Sequence, residues 1–253
     1  MKKFYAVFKY EIHKLIVSPS TYAIALIFAI SVGAIFMLLL RDYTINAQMV
    51  PFAQMFFRCF FLPTFIAVPL ISMRSFSEEY KSGTFHTLFS VAISHGTVVL
   101  AKFFATYLIF LAIWLSSLWL FAAVGVGAGA VFGEVAFAAR FNILGGMLCI
   151  AVVGTFFVAV GILASSLTDN QIMACTMTFF LLVAFLIGGQ ALADGIGAGS
   201  LGLFGSYAES LKVFAQVDNF CNGVVDSRPI VFYLSSSALT LCASTIAVQK
   251  KTG

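Results

Sequence analysis

The residues best placed to interact chemically with a partner lie in one polar stretch, Met73 to Lys102, of an otherwise apolar chain. Its first part contains two adjacent acids, Glu78 and Glu79. On a helix that continues out of the preceding apolar block, Arg74, Glu78 and Lys81 are spaced by four and three residues and share one face. A charged face of this kind suits ion pairing with a neighbouring surface and does not indicate bond-breaking chemistry.

The second half of the stretch changes character after Gly83, which is expected to end the charged helix. Thr84 can cap a second short helix that runs to about Ile93. Its apolar side chains recur at helical spacing and form a ridge: Phe85, Leu88, Phe89 and Ala92. An exposed apolar ridge beside acids is typical of a helix that docks into a groove on a partner. An amphipathic helix on the inner leaflet of a membrane gives the same pattern, so the residues alone leave both interpretations open.

No motif in the sequence indicates catalysis or nucleotide binding. The phosphate-binding pattern G-x-x-x-x-G-K-[ST] is absent, as are H-E-x-x-H and G-x-S-x-G. The three histidines are far apart and lack carboxylates at ligand spacing, and the five cysteines are scattered singly. No acid lies in the middle of an apolar block, which argues against a proton- or sodium-driven carrier. We therefore expect a non-enzymatic chain that binds no cofactor or metal itself.

The composition places these residues in a membrane protein. The chain has 253 residues, of which 61% are hydrophobic and 9% charged, whereas about a quarter of the residues of a soluble domain are charged. Several apolar blocks reach the roughly 18 residues needed to cross a bilayer, and their continuous character excludes a β-barrel. We expect an all-α membrane protein, residues 1–253 forming a single domain. Six spans are predicted: 22–40, 55–73, 103–126, 141–165, 172–189 and 230–248.

Three segments are predicted to lie outside the spans. Residues 1–18 form an amphipathic helix on the membrane surface, whose apolar face is made of Phe4, Tyr5, Phe8, Ile12, Leu15 and Ile16. Residues 74–102 form the polar segment described above, called the coupling segment below. Residues 190–229 form an outer segment with a helical run, in which Leu211, Phe214, Val217 and Phe220 share a stripe. That stripe is either the buried side of a surface helix or a surface that dips into the outer leaflet.

Two charged residues next to apolar blocks allow two interpretations each. Glu11 lies at the edge of the apolar face of the first helix. Its carboxylate either reaches for water or pairs with a basic residue in the bundle. The spacing favours the first. Arg58 lies inside an apolar block, and we expect its guanidinium to reach the outer interface; a place in a translocation path is the alternative.

The distribution of basic residues predicts the orientation. Six spans put both termini on one side, and the positive-inside rule assigns the more basic side to the cytoplasm. The side of the termini carries nine basic residues: Lys2, Lys3, Lys9, Lys14, Arg74, Lys81, Lys102, Lys250 and Lys251. The other side carries five: Arg41, Arg58, Arg140, Lys212 and Arg228. Both termini and the coupling segment are therefore expected in the cytoplasm.

The sequence resembles the membrane permease subunits of type-2 ABC exporters, above all those of gliding-motility and nitrous-oxide-reductase accessory systems. Three blocks carry the resemblance, the second being the most specific: Phe8 to Glu11 with Ser18-Pro19 and Tyr22, then Pro69 to Thr84, then Phe220 to Tyr233. With the six spans, it extends over nearly the whole chain. Two positions depart from the family pattern, since His86 stands where a glutamate is usual and Ala92 or Ile93 where a proline is usual.

The resemblance implies a mechanism and a set of partners. Two permease chains, identical or different, would pair in a bacterial inner membrane, each resting on a separate ABC ATPase subunit that holds ATP and Mg²⁺. ATPase closure would push on the helix 84–93, and the second span would transmit the tilt to re-entrant outer helices. The implied ATPase-coupling residues are Glu78, Glu79, Gly83, Thr84, Phe85, Leu88 and Phe89. The implied outer gate residues are Phe214, Phe220, Gly223 and Asp226.

Two other functions compete with export. A membrane anchor could recruit a cytoplasmic ATPase complex without transporting anything, and it would need the same coupling segment. A membrane-embedded enzyme is disfavoured because acid and base groups are not clustered. The exported substrate cannot be read from the sequence, because lipids, peptides, polysaccharides and drugs all suit apolar walls.

Overall fold

The computed structural model describes residues 2–46, 52–59, 61–83, 94–119, 135–197, 212–224 and 226–252. These residues contain no strand, so the expected all-α membrane fold is confirmed. The helices are α1 (Lys2–Val17), α2 (Pro19–Asn46), α3 (Phe52–Arg58), α4 (Phe61–Ser72), α5 (Ser77–Ser82), α6 (His95–Ser116), α7 (Val135–Leu167), α8 (Gln171–Gly197), α9 (Val213–Cys221) and α10 (Ser227–Thr252).

Five of the described helices, α2, α6, α7, α8 and α10, are long and apolar enough to cross a membrane. They correspond to the predicted first, third, fourth, fifth and sixth spans, but most run several residues further at one or both ends. One such change concerns α6, which begins at His95 instead of 103. The last eight residues of the coupling segment are therefore part of a membrane-spanning helix, because a helix does not have to end where its sequence becomes polar.

The predicted second span, 55–73, is not one continuous helix. The structure has α3 and α4 in its place, with a turn at Cys59, whose N–H donates to the Phe56 carbonyl at 3.1 Å. Pro63 is the third residue of α4, where a missing N–H costs nothing, while Pro69 lies inside that helix. At 12 residues, α4 is about 18 Å long, shorter than the roughly 30 Å hydrocarbon core.

The bundle is organised around α7, which packs against α3, α4, α6, α8, α9 and α10. Its inward residues, such as Phe157, Ala159 and Ile162, are fully buried. By contrast, only 22% of the apolar stretch of α2, of α8 and of α10 is buried inside the bundle. Their outward faces carry large apolar side chains, as in Met37, Phe180 and Leu239. Such faces suit contact with lipid tails or with another membrane helix.

Polar contacts collect at the two ends of α7. Around Ser165 they join α1, α5, α6 and α10, and around Gly145 they join α3 and α9. These two α7 residues are separated by about 30 Å along the helix, which matches the thickness of a bilayer core. The first and last described helices both contact α5, through Lys14 and Lys251, so α1 and α10 meet at the Ser165 end.

Candidate functional site

The charged cluster at the Ser165 end centres on Lys102, whose side chain is 1% exposed. Its Nζ donates to Oε1 of Glu11 at 2.7 Å and to Oε1 of Glu79 at 2.6 Å. The ammonium also lies 5.2 Å from the centre of the Phe76 ring, within cation–π range. One buried cation thus joins α1, α5 and α6. We call Glu11, Glu79 and Lys102 the buried triad.

The position of Glu11 overturns the interpretation of a carboxylate that reaches for water. Its residue is 4% exposed, and it faces the bundle together with Val7, one helical turn earlier. The predicted apolar face of α1 is only half-buried at Phe4 and Phe8, while Tyr5 is 64% exposed. The inward face of α1 is set by the ion pair with Lys102, because a buried ammonium without carboxylates would be far costlier than a half-exposed phenylalanine.

Glu78 and Glu79 have different environments. The side chain of Glu79 is 10% exposed and lies against Lys102. Glu78 is 35% exposed and pairs with Lys14 across 3.3 Å, an arrangement that contributes about 0.2–1 kcal/mol. The predicted charged face is not formed as a single helix, because residues 73–76 form turns and Arg74 instead donates to the Ser18 hydroxyl at 2.9 Å.

Hydrogen bonds between backbone groups and side-chain hydroxyls hold the short helix α5 against α7. The N–H groups of Phe76 and Ser77 both donate to the Ser165 hydroxyl, at 3.0 and 3.3 Å. The Tyr80 hydroxyl donates to the Ser166 carbonyl at 3.4 Å. Burial, followed by the nearby carboxylates of Asp169 and Glu79, raises the pKa of Tyr80 above its ordinary value. Tyr80 therefore stays a neutral donor at physiological pH.

The last turn of α10 also contacts α5. The Lys251 ammonium lies 4.0 Å from the centre of the Tyr80 ring and 2.5 Å from Oδ1 of Asp169. Asp169 belongs to the turn between α7 and α8, and its side chain is 76% exposed. These contacts fix α10, the turn between α7 and α8, and α5 relative to one another.

Gly83 ends α5 as the sequence predicts. Its φ of 71° is in the left-handed region, which favours glycine, and its N–H donates to the Tyr80 carbonyl. The remaining predicted coupling residues, Thr84, Phe85, Leu88 and Phe89, lie outside the described residues. The structure thus places Glu78, Glu79 and Gly83 on or next to one helix, directly before residues 84–93.

At the other end of the bundle, Arg58 has a defined partner, which the sequence did not predict. It makes a two-pronged ion pair with Asp218 of α9: Nε to Oδ1 at 2.5 Å and Nη2 to Oδ2 at 2.9 Å. Gln54 donates to the same carboxylate at 3.2 Å. The hydrogen bond with Asp218 raises the pKa of the Arg58 guanidinium above its ordinary value. Together these contacts hold α3 against α9.

The four residues predicted to form an outer gate separate into two pairs. Phe220 of α9 is 1% exposed, and Phe214 packs edge-on against Phe61, with ring centres 4.8 Å apart. The apolar stripe of α9 is therefore the buried side of a surface helix. Gly223 and Asp226 are exposed in the following turn: Gly223 has a φ of 78°, and Asp226 caps α10 by accepting the N–H of Arg228 at 3.1 Å.

A double-mutant cycle on Arg58→Met and Asp218→Asn tests the link between α3 and α9. Because Arg58 is 47% exposed, we expect a coupling free energy of only about 0.5–1 kcal/mol, decreasing at high salt. The measurement is the free energy of unfolding of the four proteins in detergent. Strictly additive effects would show that the pair does not stabilise the fold.

Sequence reasoning placed Lys102 and Lys251 on the side of the termini, but it missed the contacts of Lys102 with Glu11 and Glu79 and of Lys251 with Asp169. For Lys102 a signal was present, because apolar residues flank it on both sides from Val98 to Phe110. Glu11 lies at the edge of an apolar helix face, and Lys102 lies in an apolar helix. Burying either charge lowers stability unless it is paired with an opposite charge. Looking for a partner for each would have suggested this pair.

Comparison with known proteins gives one family. The family model described as "ABC-2 family transporter protein" matches residues 7–185, more than two thirds of the chain. The matched range includes the whole buried triad and all of α5. No curated protein matches the chain.

Proposed function

Because this chain belongs to the ABC-2 family of transporter proteins, we propose that it is the permease subunit through which a separate ATPase drives export across a bacterial inner membrane. The family supports a multi-pass permease component of an ABC transporter, which associates with an ABC ATPase in general. Pairing of two permease chains, a cytoplasmic position of both termini and outward transport are parts of the proposal.

The main observation behind the proposal is that contacts with four other helices fix the position of α5. This helix of six residues is held by α1, α6, α7 and α10 at one end of the bundle. Glu78 and Lys81 are at least partly exposed on it, directly before residues 84–93. A short helix braced on four sides transmits a force applied by a partner better than a free loop does, because its own position is fixed by several contacts.

The proposal assigns the motor to another chain. The sequence lacks the glycine-rich phosphate-binding pattern, and the described residues include no cluster of acidic, histidine or cysteine side chains that could hold a metal ion. ATP and Mg²⁺ are accordingly assigned to the ATPase subunit. Among the described residues, we assign Glu78, Lys81 and Gly83 to the surface that contacts it.

Affinity purification of the chain from native membranes tests this proposal. We expect a protein with a phosphate-binding ATPase motif to co-purify, and Glu78→Lys to weaken its retention several-fold, since a partner's cation would then face a cation. The matched control is Arg228→Glu, an exposed charge reversal at the opposite end of the bundle. Absence of an ATPase from the wild-type preparation, or equal retention by Glu78→Lys and wild type, contradicts the proposal.

A further inference from the structure

We propose that Lys102 is a positioning residue that carries a displacement of α5 into α6, with Glu79 as the contact through which the displacement arrives. The inference rests on the proposed function, since it assumes that an ATPase acts on α5. It assigns the onward path to α6 and to the buried member of the acidic pair, whereas the sequence suggested the second span.

The continuity of the helices favours α6 over the path through α4. A force that enters α5 and follows the chain backwards reaches α4 and then the turn at Cys59, where the helix is interrupted. By contrast, α6 is unbroken from His95 to Ser116, about 33 Å. It therefore crosses the bilayer as one rigid element, and Lys102 lies in its third turn.

The contact between Glu79 and Lys102 is suited to move as a unit. The donor and acceptor are 2.6 Å apart, and their side chains are 1% and 10% exposed. Water cannot replace either partner without a large loss of stability, because a buried charge would be left unpaired. By contrast, the pair of Glu78 with Lys14 is a third exposed and can exchange with water.

The buried triad contains its own control. Glu11 and Glu79 accept from the same Nζ at nearly the same distance, but Glu11 belongs to α1 and Glu79 to α5. Replacing either by glutamine removes one negative charge and preserves the size of the side chain. A purely stabilising triad predicts the same response from both variants, whereas transmission from α5 predicts that only Glu79→Gln disconnects α6.

The experiment compares wild type, Glu79→Gln and Glu11→Gln as purified complexes with the co-purifying ATPase. Hydrogen–deuterium exchange is measured without nucleotide and with ATP, Mg²⁺ and vanadate. In wild type and in Glu11→Gln we expect nucleotide to change the exchange of both α5 and the first turns of α6. In Glu79→Gln the change in α5 is expected to remain and the change in α6 to be lost.

Each possible outcome of this experiment leads to one conclusion. A change in α6 that persists in Glu79→Gln, or is lost equally in both variants, overturns the proposal. A change confined to α5 in wild type also overturns it and favours the anchor function, while no ATPase in the complex contradicts the proposed function itself. If Glu79→Gln does not fold, the swapped variant Glu79→Lys/Lys102→Glu replaces it; the change in α6 is then expected to be present, and its absence in a folded complex overturns the proposal.

Discussion

Lys102→Met is expected to lower the free energy of unfolding by about 3–5 kcal/mol, the usual cost of removing one partner from a buried ion pair. The residues of Glu11 and Glu79 are 4% and 7% exposed, so both carboxylates would lose their shared ammonium while remaining largely out of water. Methionine fills a similar volume, so the loss of the charge accounts for most of the effect. The measurement is a denaturant titration of the purified chain in detergent, followed by tryptophan fluorescence.

Two variants separate charge from packing. Lys81→Met removes a lysine from an exposed position on α5 and is expected to change stability by less than about 0.5 kcal/mol. The triple variant Glu11→Gln/Lys102→Met/Glu79→Gln removes all three charges at once and is expected to regain most of the stability that Lys102→Met loses. If the triple variant is as unstable as Lys102→Met alone, packing around the Lys102 stem is the cause, and the electrostatic explanation is wrong.

The membrane-spanning helices were predictable because the signal for them is local. An apolar run of about 20 residues can be satisfied in a bilayer only as a helix, and the predicted spans 141–165 and 230–248 lie within α7 and α10. Their ends were not predictable to the same degree. The first span is predicted to end at residue 40, before Arg41 and Asp42. The helix α2 nevertheless continues to Asn46, because polar side chains at a membrane surface do not interrupt helical hydrogen bonds.

The buried triad shows where local patterns stop being informative. Glu11 is 91 residues from Lys102 in sequence, and Glu79 is 23 residues from it. Helical spacing relates residues three or four apart, so it assigned Glu11 to a solvent-facing edge and gave Glu79 no partner; the coupling role of Glu79 was implied only by the family resemblance. Which of two adjacent acids is buried depends on how α1, α5 and α6 meet, and this is decided by tertiary packing.

The interruption between α3 and α4 has a similar origin. Pro63 and Pro69 both lie in the predicted second span, but the turn forms ahead of them, at Cys59. The ion pair of Arg58 with Asp218 fixes the end of α3, and Phe61 packs against Phe214 at the start of α4. These contacts come from α9, more than 150 residues away in the chain, so the sequence near the prolines did not reveal them.

Gly145→Ala is expected to destabilise the contact between α7 and α9 by about 1–3 kcal/mol, the range for overpacking a closely fitted core. A Cβ at this position would lie 1.9 Å from the Phe220 carbonyl oxygen and 2.8 Å from its carbonyl carbon. Both atoms belong to the backbone, so no side-chain rotation can relieve the clash, and the whole of α9 must move away. The gain of up to about 1 kcal/mol from replacing glycine in a helix offsets only part of this cost.

The matched control is Gly188→Ala in α8, where a Cβ would meet nothing within 4 Å. This variant is expected to be neutral or to gain up to about 1 kcal/mol, because alanine is the better helix former. Denaturant titration of both variants gives the two free energies. Because Cys221 and Asp218 belong to the displaced helix, Gly145→Ala should also expose the buried Cys221 thiol to a maleimide faster than in wild type. Equal stability of the two variants, with unchanged labelling, would show that α9 does not approach α7 this closely.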